Sequence, residues 1–337
     1  TRLATAASEA SHSASLIFAM IKEESKRQAL HPGSGSTASG KRHSRALLAG
    51  NIGRDPFEFL DELTADDWVV LELSSFQLED LTVSPHIAVV LTVGEEHLNH
   101  HRSIKDYVAA KRTIVAYQMA HDHVVLHADD PVSAGLAAVT TATKHWYSRR
   151  QPVTDGADAM LVDGVATAIE LVESGQRTTI VSASDLKLRG PHNLENVAAS
   201  VAAARLTGAS IEALRQAAVA FEPLPHRLEA VGSVDGVSYV NDSYATAPLP
   251  TIAALHSFHE PLVLVLGGQG KGAEYRQLIE EIGTADLRAV VCYGEEGERF
   301  EHLLRGVIPD RQILYERLFD DAVKRASDVA RLGDVVL

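Results

Sequence analysis

Of the 337 residues only one is cysteine, Cys292, so no disulfide within the chain can form and the sequence reads as that of a cytoplasmic protein. Aromatic residues make up 5% of the chain. No apolar run approaches the roughly 20 residues that a membrane-crossing helix needs, and the first residues lack the charged-then-apolar layout of a secretory leader. Basic residues are in deficit, 31 Lys and Arg against 45 Asp and Glu for a formal charge of −14, which argues against nucleic acid as a partner. An anionic ligand would therefore need metal ions or local cations. The chain opens on Thr1 and stops in the strand-like "GDVVL", so both ends are expected to be cut from a longer protein.

What remains is ordinary globular composition, 45% hydrophobic and 23% charged, over a length that suggests two domains. "WVVLEL" (Trp68 to Leu73) and "IAVVLTV" (Ile87 to Val93) are short, β-branched and apolar on both faces, which suits central strands of a parallel sheet. "VVLHADDP" supplies another strand, and "GADAMLVDGVATAIEL" with "TTIVSASDLKL" reads as an antiparallel edge. "NLENVAASVAAARLTGAS" predicts an amphipathic helix stopped by Gly208. After Pro223 and Pro225 strands resume at "VSYVND", "PLVLVLGG" and "AVVCYG", the last placing Cys292 in a core strand. The alternation predicts an α/β chain divided into residues 1–222, with a flexible insertion at about 31–45, and residues 223–337.

"GSGSTASGKRHSR" imitates a phosphate-binding loop, with Gly35 and a Gly40-Lys41 pair at the right spacing. Arg42 stands where a metal-binding hydroxyl belongs, the preceding "SKRQALHPGS" is too polar for a buried strand, and "RALLAGNIG" reaches Gly before a helix could begin. The stretch reads as a Gly/Ser linker. Ligands of open α/β sheets bind beyond the carboxyl ends of the strands, which makes Glu72, Glu95, Glu96 and His97 candidates. Ser103 and Asp106 form a capping box, and Ile104, Tyr107, Val108, Val115 and Gln118 trace one face of the helix that follows. Lys111 falls on that face. Either its stem lies along apolar surface with the amine in water, or the amine is desolvated and reactive; spacing alone favours the first.

"LELSSFQLE" (Leu71 to Glu79), "YVAAKRTI" (Tyr107 to Ile114), "RGPHNLENVAA" (Arg189 to Ala199), "LPHRLE" (Leu224 to Glu229), "VNDSYAT" (Val240 to Thr246) and "LGGQGKGAEY" (Leu266 to Tyr275) together resemble the Mur ligase family, in family order over nearly the whole chain. The resemblance implies a central, mostly parallel-sheet ATPase domain of the P-loop type and a Rossmann-like C-terminal domain. It also implies ATP-driven amide synthesis in peptidoglycan assembly through an acyl phosphate. "ELSSFQLE" points to the member that adds D-glutamate to UDP-N-acetylmuramoyl-L-alanine. By this resemblance Glu72 and His97 hold Mg²⁺ together with Ser11, and Lys111 carries a carbamate. Thr5, Ser11, Asn193, Arg227 and Asp242 meet ATP, Asn51 and Ser74 face the acyl substrate, and Thr246 and Lys271 approach D-glutamate. The protein is expected to be a monomer that binds neither nucleic acid nor membrane.

The family's phosphate loop, T-G-T-x-G-K-[ST]-T-T, falls in register with "TAASEASHS" (Thr5 to Ser13), followed by the helical "SLIFAMIKEE". Thr5 and Ser11 persist, but Ala6 and Glu9 replace glycines and Ala10 replaces the lysine. A Cβ and a negative charge are thereby placed where phosphate should lie, and a cation is removed. Tyr244 and Ala247 stand where many relatives have Lys and Asn. A catalytically impaired pseudoligase is therefore the alternative reading. The family's N-terminal UDP-binding domain and the end of its C-terminal domain have no counterpart in the sequence.

Overall fold

The computed structural model describes residues 2–7, 11–30, 45–52, 54–93, 103–150, 159–162, 168–270 and 274–337, the side chains of 2–7, 11–12, 28–30 and 159–162 excepted. Contacts divide the chain into two compact units, Thr1–Lys187 with His192–Glu222, and Leu188–Pro191 with Pro223–Leu337.

In the first unit the elements are β1 (Arg2–Ala7), α1 (Ser11–Leu30), β2 (Ala46–Gly50), a 3₁₀ turn (Pro56–Glu62), β3 (Trp68–Leu73), α2 (Ser75–Leu78), β4 (Ile87–Val90) and α3 (Ile104–Ala116). They continue as β5 (His123–His127), α4 (Pro131–Gly135), β6 (Thr143–Ser148), β7 (Ala159–Val162), β8 (Ala168–Glu173), β9 (Gln176–Ser182), α5 (Pro191–Leu206) and α6 (Ile211–Ala220). One sheet runs β2-β3-β1-β4-β5-β6-β7-β8-β9. Its strands are parallel from β2 to β7 and antiparallel from β7 to β9. All four residues of β4 are buried, as a strand covered on both faces requires. The edge hairpin turns at Ser174 and Gly175, both at positive φ, the hand that suits a two-residue connection.

"RALLAGNIG" starts no helix, as expected: Ala46–Gly50 is the edge strand β2, because β3 offers it a hydrogen-bonding rim and Arg45 is bound to the buried carboxylate of Asp67. Two expectations need correction. The buried face of α3 is Tyr107, Ala110, Lys111, Ile114 and Val115, whereas Ile104 is exposed. Those positions follow the i, i+3, i+4, i+7, i+8 rule more closely than the residues first chosen. Gln118 is buried beyond the helix end, its amide donating to the carbonyls of Pro85 and His123. Nor is α5 amphipathic, since Val197 to Ala204 are buried without interruption. Its alanines are small enough for neighbours to close on every side, and the helix stops at Gly208, φ +95°. The Gly33–Lys41 imitation of a phosphate loop lies outside the described residues. It follows helix α1 and precedes strand β2, the reverse of the strand–loop–helix order that phosphate binding uses.

In the second unit come β10 (Glu229–Val234), β11 (Val237–Asn241), α7 (Pro248–Leu255), β12 (Leu262–Gly267), α8 (Arg276–Thr284), β13 (Leu287–Tyr293), α9 (Gly294–Val307), β14 (Gln312–Glu316), α10 (Phe319–Val329) and β15 (Val335–Val336). The sheet order is β10-β11-β15-β12-β13-β14, parallel except for the β10–β11 hairpin. "GDVVL" thus enters the middle of the sheet, between β11 and β12. An ion pair from Arg288 to the buried Asp334 holds the approach to β15. Cys292 is buried in β13, and removal from water pushes its thiol pKa up to about 12. Among the described residues no helix is long and apolar enough to cross a membrane.

Candidate functional site

From β1 the chain passes through α1 to β2 on one flank of the sheet, and from β3 it crosses β1 to reach β4 on the other. Connections leaving in opposite directions open a crevice at the carboxyl ends of β1, β3 and β4, where open α/β sheets bind ligands. Ala6 of β1 is level with Glu72 of β3, and Ala7 with Leu73 and Val90. Thr5 lies on β1 and Ser11 begins α1, so the strand and helix that would frame a phosphate loop are in place. The side chains of both residues, and residues 8–10 entirely, fall outside the described set.

Glu72 is 3% exposed. The Asn51 backbone N–H donates to its carbonyl at 2.8 Å, and the Asn51 amide lies 3.5 Å from its carboxylate oxygen Oε1. This meeting depends on Gly50. Its φ is +101°, and a Cβ there would stand 2.1 Å from the Glu72 carbonyl oxygen. Ser74 begins the turn after Glu72, where its hydroxyl accepts the Gln77 N–H and donates to the Gln77 side chain. That capping box accounts locally for two of the polar residues in "SSFQ".

Lys111 is also 3% exposed, its amine 5.0 Å from the centre of the Tyr107 ring. An amine at that depth does not stand in bulk water, so the first of the two alternatives is excluded, and Tyr107 of the same helix face is its ring neighbour. Asn193, 2% exposed near the start of α5, accepts a hydrogen bond from the Asn196 amide. His97, Glu95 and Glu96 lie outside the described residues. Among the described residues no group of three or more His, Cys, Asp or Glu converges to hold a metal ion. The buried Glu72 carboxylate is one oxygen donor of the kind Mg²⁺ prefers.

The second unit has its own cluster. Backbone strain gathers at "PHRL": His226 and Leu228 both have positive φ, a costly state for residues with side chains. The strained turn is clasped to the end of β11. The Leu228 N–H donates to Asp242 at 2.9 Å, the Asn241 amide is 2.9 Å from His226 Nδ1, and Tyr244 N–H donates to the His226 carbonyl. The Arg227 guanidinium lies 5.5 Å from the centre of the Tyr244 ring. Burial raises the Asp242 pKa to about 6, against the opposing pull of the Leu228 N–H and the Arg227 charge. Thr246 is exposed just before α7, and Lys271 lies outside the described residues. His226 was missed on the sequence; a His beside the chosen Arg227 was the available signal.

Comparison with known proteins joins these features. The Mur ligase middle domain matches residues 57–204, beginning after β1, α1 and β2, and the Mur ligase glutamate ligase domain matches residues 226–337. UDP-N-acetylmuramoylalanine–D-glutamate ligases from Acidobacterium capsulatum and Halalkalibacterium halodurans are 37% and 38% identical over 88% and 86% of the chain. The chain spans 63% and 62% of their lengths. Its fold matches MurF of Thermotoga maritima, solved in complex with ADP, with a TM-score of 0.69 at 17% identity, covering 100% of this chain and 75% of that one. The corresponding D-alanyl-D-alanyl ligase of Acinetobacter baumannii has the same TM-score at 16% identity, covering 100% and 72%. With both of the family's matching domains in order on one chain, this protein belongs to the Mur ligase family.

Proposed function

We propose that this chain is the ATP-handling and amino-acid-accepting part of a ligase that joins D-glutamate to UDP-N-acetylmuramoyl-L-alanine. The observation that carries the reading is 37–38% identity, over most of the chain, to relatives bearing that name. In the reaction ATP phosphorylates the substrate carboxylate, and the amine of D-glutamate attacks the acyl carbon, expelling phosphate. Glu72, with His97 and Ser11, would hold Mg²⁺, which when bound neutralises charge on the phosphates. Asn51 and Ser74 orient the acyl substrate from the ends of β2 and β3. Arg227 supplies a cation to the nucleotide. Asp242 and Asn193 accept and donate hydrogen bonds to the nucleoside, and Thr246 and Lys271 bind D-glutamate. Lys111, buried against Tyr107, is the amine that would take up CO₂ as a carbamate, with release of a proton. The reading places the protein in the cytoplasm as a monomer.

A second reading, a pseudoligase that binds ATP weakly, is favoured by Ala6, Glu9 and Ala10 in the segment between β1 and α1. Calorimetric titration with Mg-ATP and assay of ADP release tell the two apart. Under the ligase reading, ADP release requires both UDP-N-acetylmuramoyl-L-alanine and D-glutamate, and Glu9→Gly with Ala10→Lys tightens ATP binding at least tenfold. ATP binding at micromolar concentration without ADP release supports neither a weak nucleotide site nor a ligase. Release that ignores D-glutamate would overturn the substrate assignment.

A further inference from the structure

The parallel strands β4, β5 and β6 begin at the rim of the sheet opposite the crevice, and histidine gathers there: His86 before β4, His121 before β5, His123 at the start of β5 and His145 in β6. The His86 ring meets His123 edge to face at 5.5 Å and lies nearly parallel to Trp68 at 6.3 Å. His123 Nδ1 and His145 Nε2 are 3.1 Å apart. Asp122 is the carboxylate among them, with Oδ1 2.9 Å from His86 Nδ1 and 3.5 Å from His121 Nε2. Asp122 and His145 are buried, His86 and His123 half-buried, and His121 is exposed. Of the charged groups on neighbouring elements, Lys144 turns its amine to the Thr140 carbonyl, and Asp67, beside Trp68, is bound to Arg45.

The same residues fasten the end of α3. The Met119 N–H donates to Asp122 Oδ2 at 2.8 Å, the Tyr117 N–H donates to Ser84 Oγ at 2.9 Å, and Ser84 Oγ donates to the Thr113 carbonyl. Gln118, whose amide holds the carbonyls of Pro85 and His123, also accepts the Thr140 hydroxyl at 3.1 Å. The His123 N–H donates to the His86 carbonyl. Lys111 lies about two turns earlier on the same helix.

With neutral rings this arrangement is satisfied, since one proton fits between His123 and His145 and His86 can donate to Asp122. As pH falls through the range in which imidazoles charge, it is not. Two protons between His123 and His145 would leave N–H groups facing each other at 3.1 Å. A single carboxylate, Asp122, cannot neutralise four charged rings. Burial and the His86 charge already oppose a proton on His123, against the smaller pull of Asp122.

We propose that the histidines of this rim form a proton-operated latch: neutral, they hold the turn after α3 and so the end of the helix that carries Lys111; charged, they repel one another and let that turn go. The latch needs no ligand and is independent of the ligase reading.

Hydrogen exchange of the whole chain, followed by mass spectrometry at pH 7.5 and 5.5 and corrected for the intrinsic pH dependence of exchange, tests this. Residues 113–122 should lose protection at least tenfold at pH 5.5, while α5, remote from the rim in sequence and buried, changes less than twofold. His123→Gln combined with His145→Gln removes the buried pair's charge and should keep the loss below threefold. If burying two amides prevents that variant from folding, His86→Gln, at the half-buried edge, carries the test and should lose less protection than wild type. Equal protection of 113–122 at both pH values, or an undiminished loss in these variants, overturns the latch. A loss shared equally by α5 overturns it as well, because acid would then be unfolding the unit as a whole.

Discussion

Replacing Gly50 by Ala places a methyl group in the tightest spot of the first unit. The added Cβ would lie 2.1 Å from the Glu72 carbonyl oxygen and 3.1 Å from its carbonyl carbon and amide nitrogen. All are backbone atoms of β3, which is held between β2 and β1 and cannot retreat. A φ of +101° adds roughly 1–2 kcal/mol for any residue with a Cβ. The end of β2 must then lift away, losing the Asn51 N–H bond to Glu72, at roughly 1 kcal/mol, and the Asn51 amide contact with its carboxylate. The total is about 3–4 kcal/mol, or a fall in Tm of about 8–12 °C for a unit of this size. Both tryptophans, Trp68 and Trp146, lie in the first unit, so fluorescence melting reports that unit alone. Gly175→Ala is the control: φ is +80°, but nothing lies within 4 Å of the added Cβ, so only the backbone strain remains, and Tm should fall by about 3 °C. A Gly50→Ala variant that melts no lower than Gly175→Ala would show that β2 and β3 do not approach as described.

Cys292 provides the matching probe of the second unit: its thiol, buried and raised to about 12, should resist iodoacetamide until that unit unfolds, and prompt alkylation of the native chain would contradict its burial. Asp242, raised to about 6 in the folded chain from 3.8, favours folding below pH 4 and loses that contribution as pH rises through 6. Asp242→Asn should therefore stabilise the second unit at pH 8 by about 1 kcal/mol after solvent screening and have no effect near pH 4; melting curves showing the same gain at both pH values would refute this. At the amino ends of β4, β5 and β6, His123 Nδ1 is 3.1 Å from His145 Nε2, so that pair can share one proton but cannot hold two, and His86 bonds Asp122. Burial first, then the His86 charge, holds the His123 pKa below 6.5, while that of Asp122 is also lowered. Stability from neutral His123 is present above pH 6.5 and lost as pH falls below it, so the tryptophan-reported Tm should drop between pH 7.5 and 5.5 and drop less in His123→Gln; a flat profile would count against the cluster.

Much was legible in local pattern. The apolar runs at Trp68–Leu73 and Ile87–Val90 are strands buried on both faces because nothing in them could face water. Ser103 caps α3 because its hydroxyl can take an N–H that the helix leaves unpaired. The motifs around Glu72, Lys111, Arg227 and Asp242 named the family because those residue types stand in a fixed order. Other features have no local signature. The early Gly of "RALLAGNIG" excluded a helix but did not say what forms instead; the rim of β3 makes Ala46–Gly50 the strand β2. β15 was legible as the strand-like "GDVVL", but its place between β11 and β12 was not. Sequence periodicity says which side of an element is apolar, not which elements become neighbours. Strand order decides that. It brings Asn51 to Glu72 across 21 residues and Thr92 to His127 across 35, and it sinks the amine of Lys111 beside Tyr107. Composition supplied the reactive groups, and the crossing of β1 by the β3–β4 connection determined which of them share a crevice.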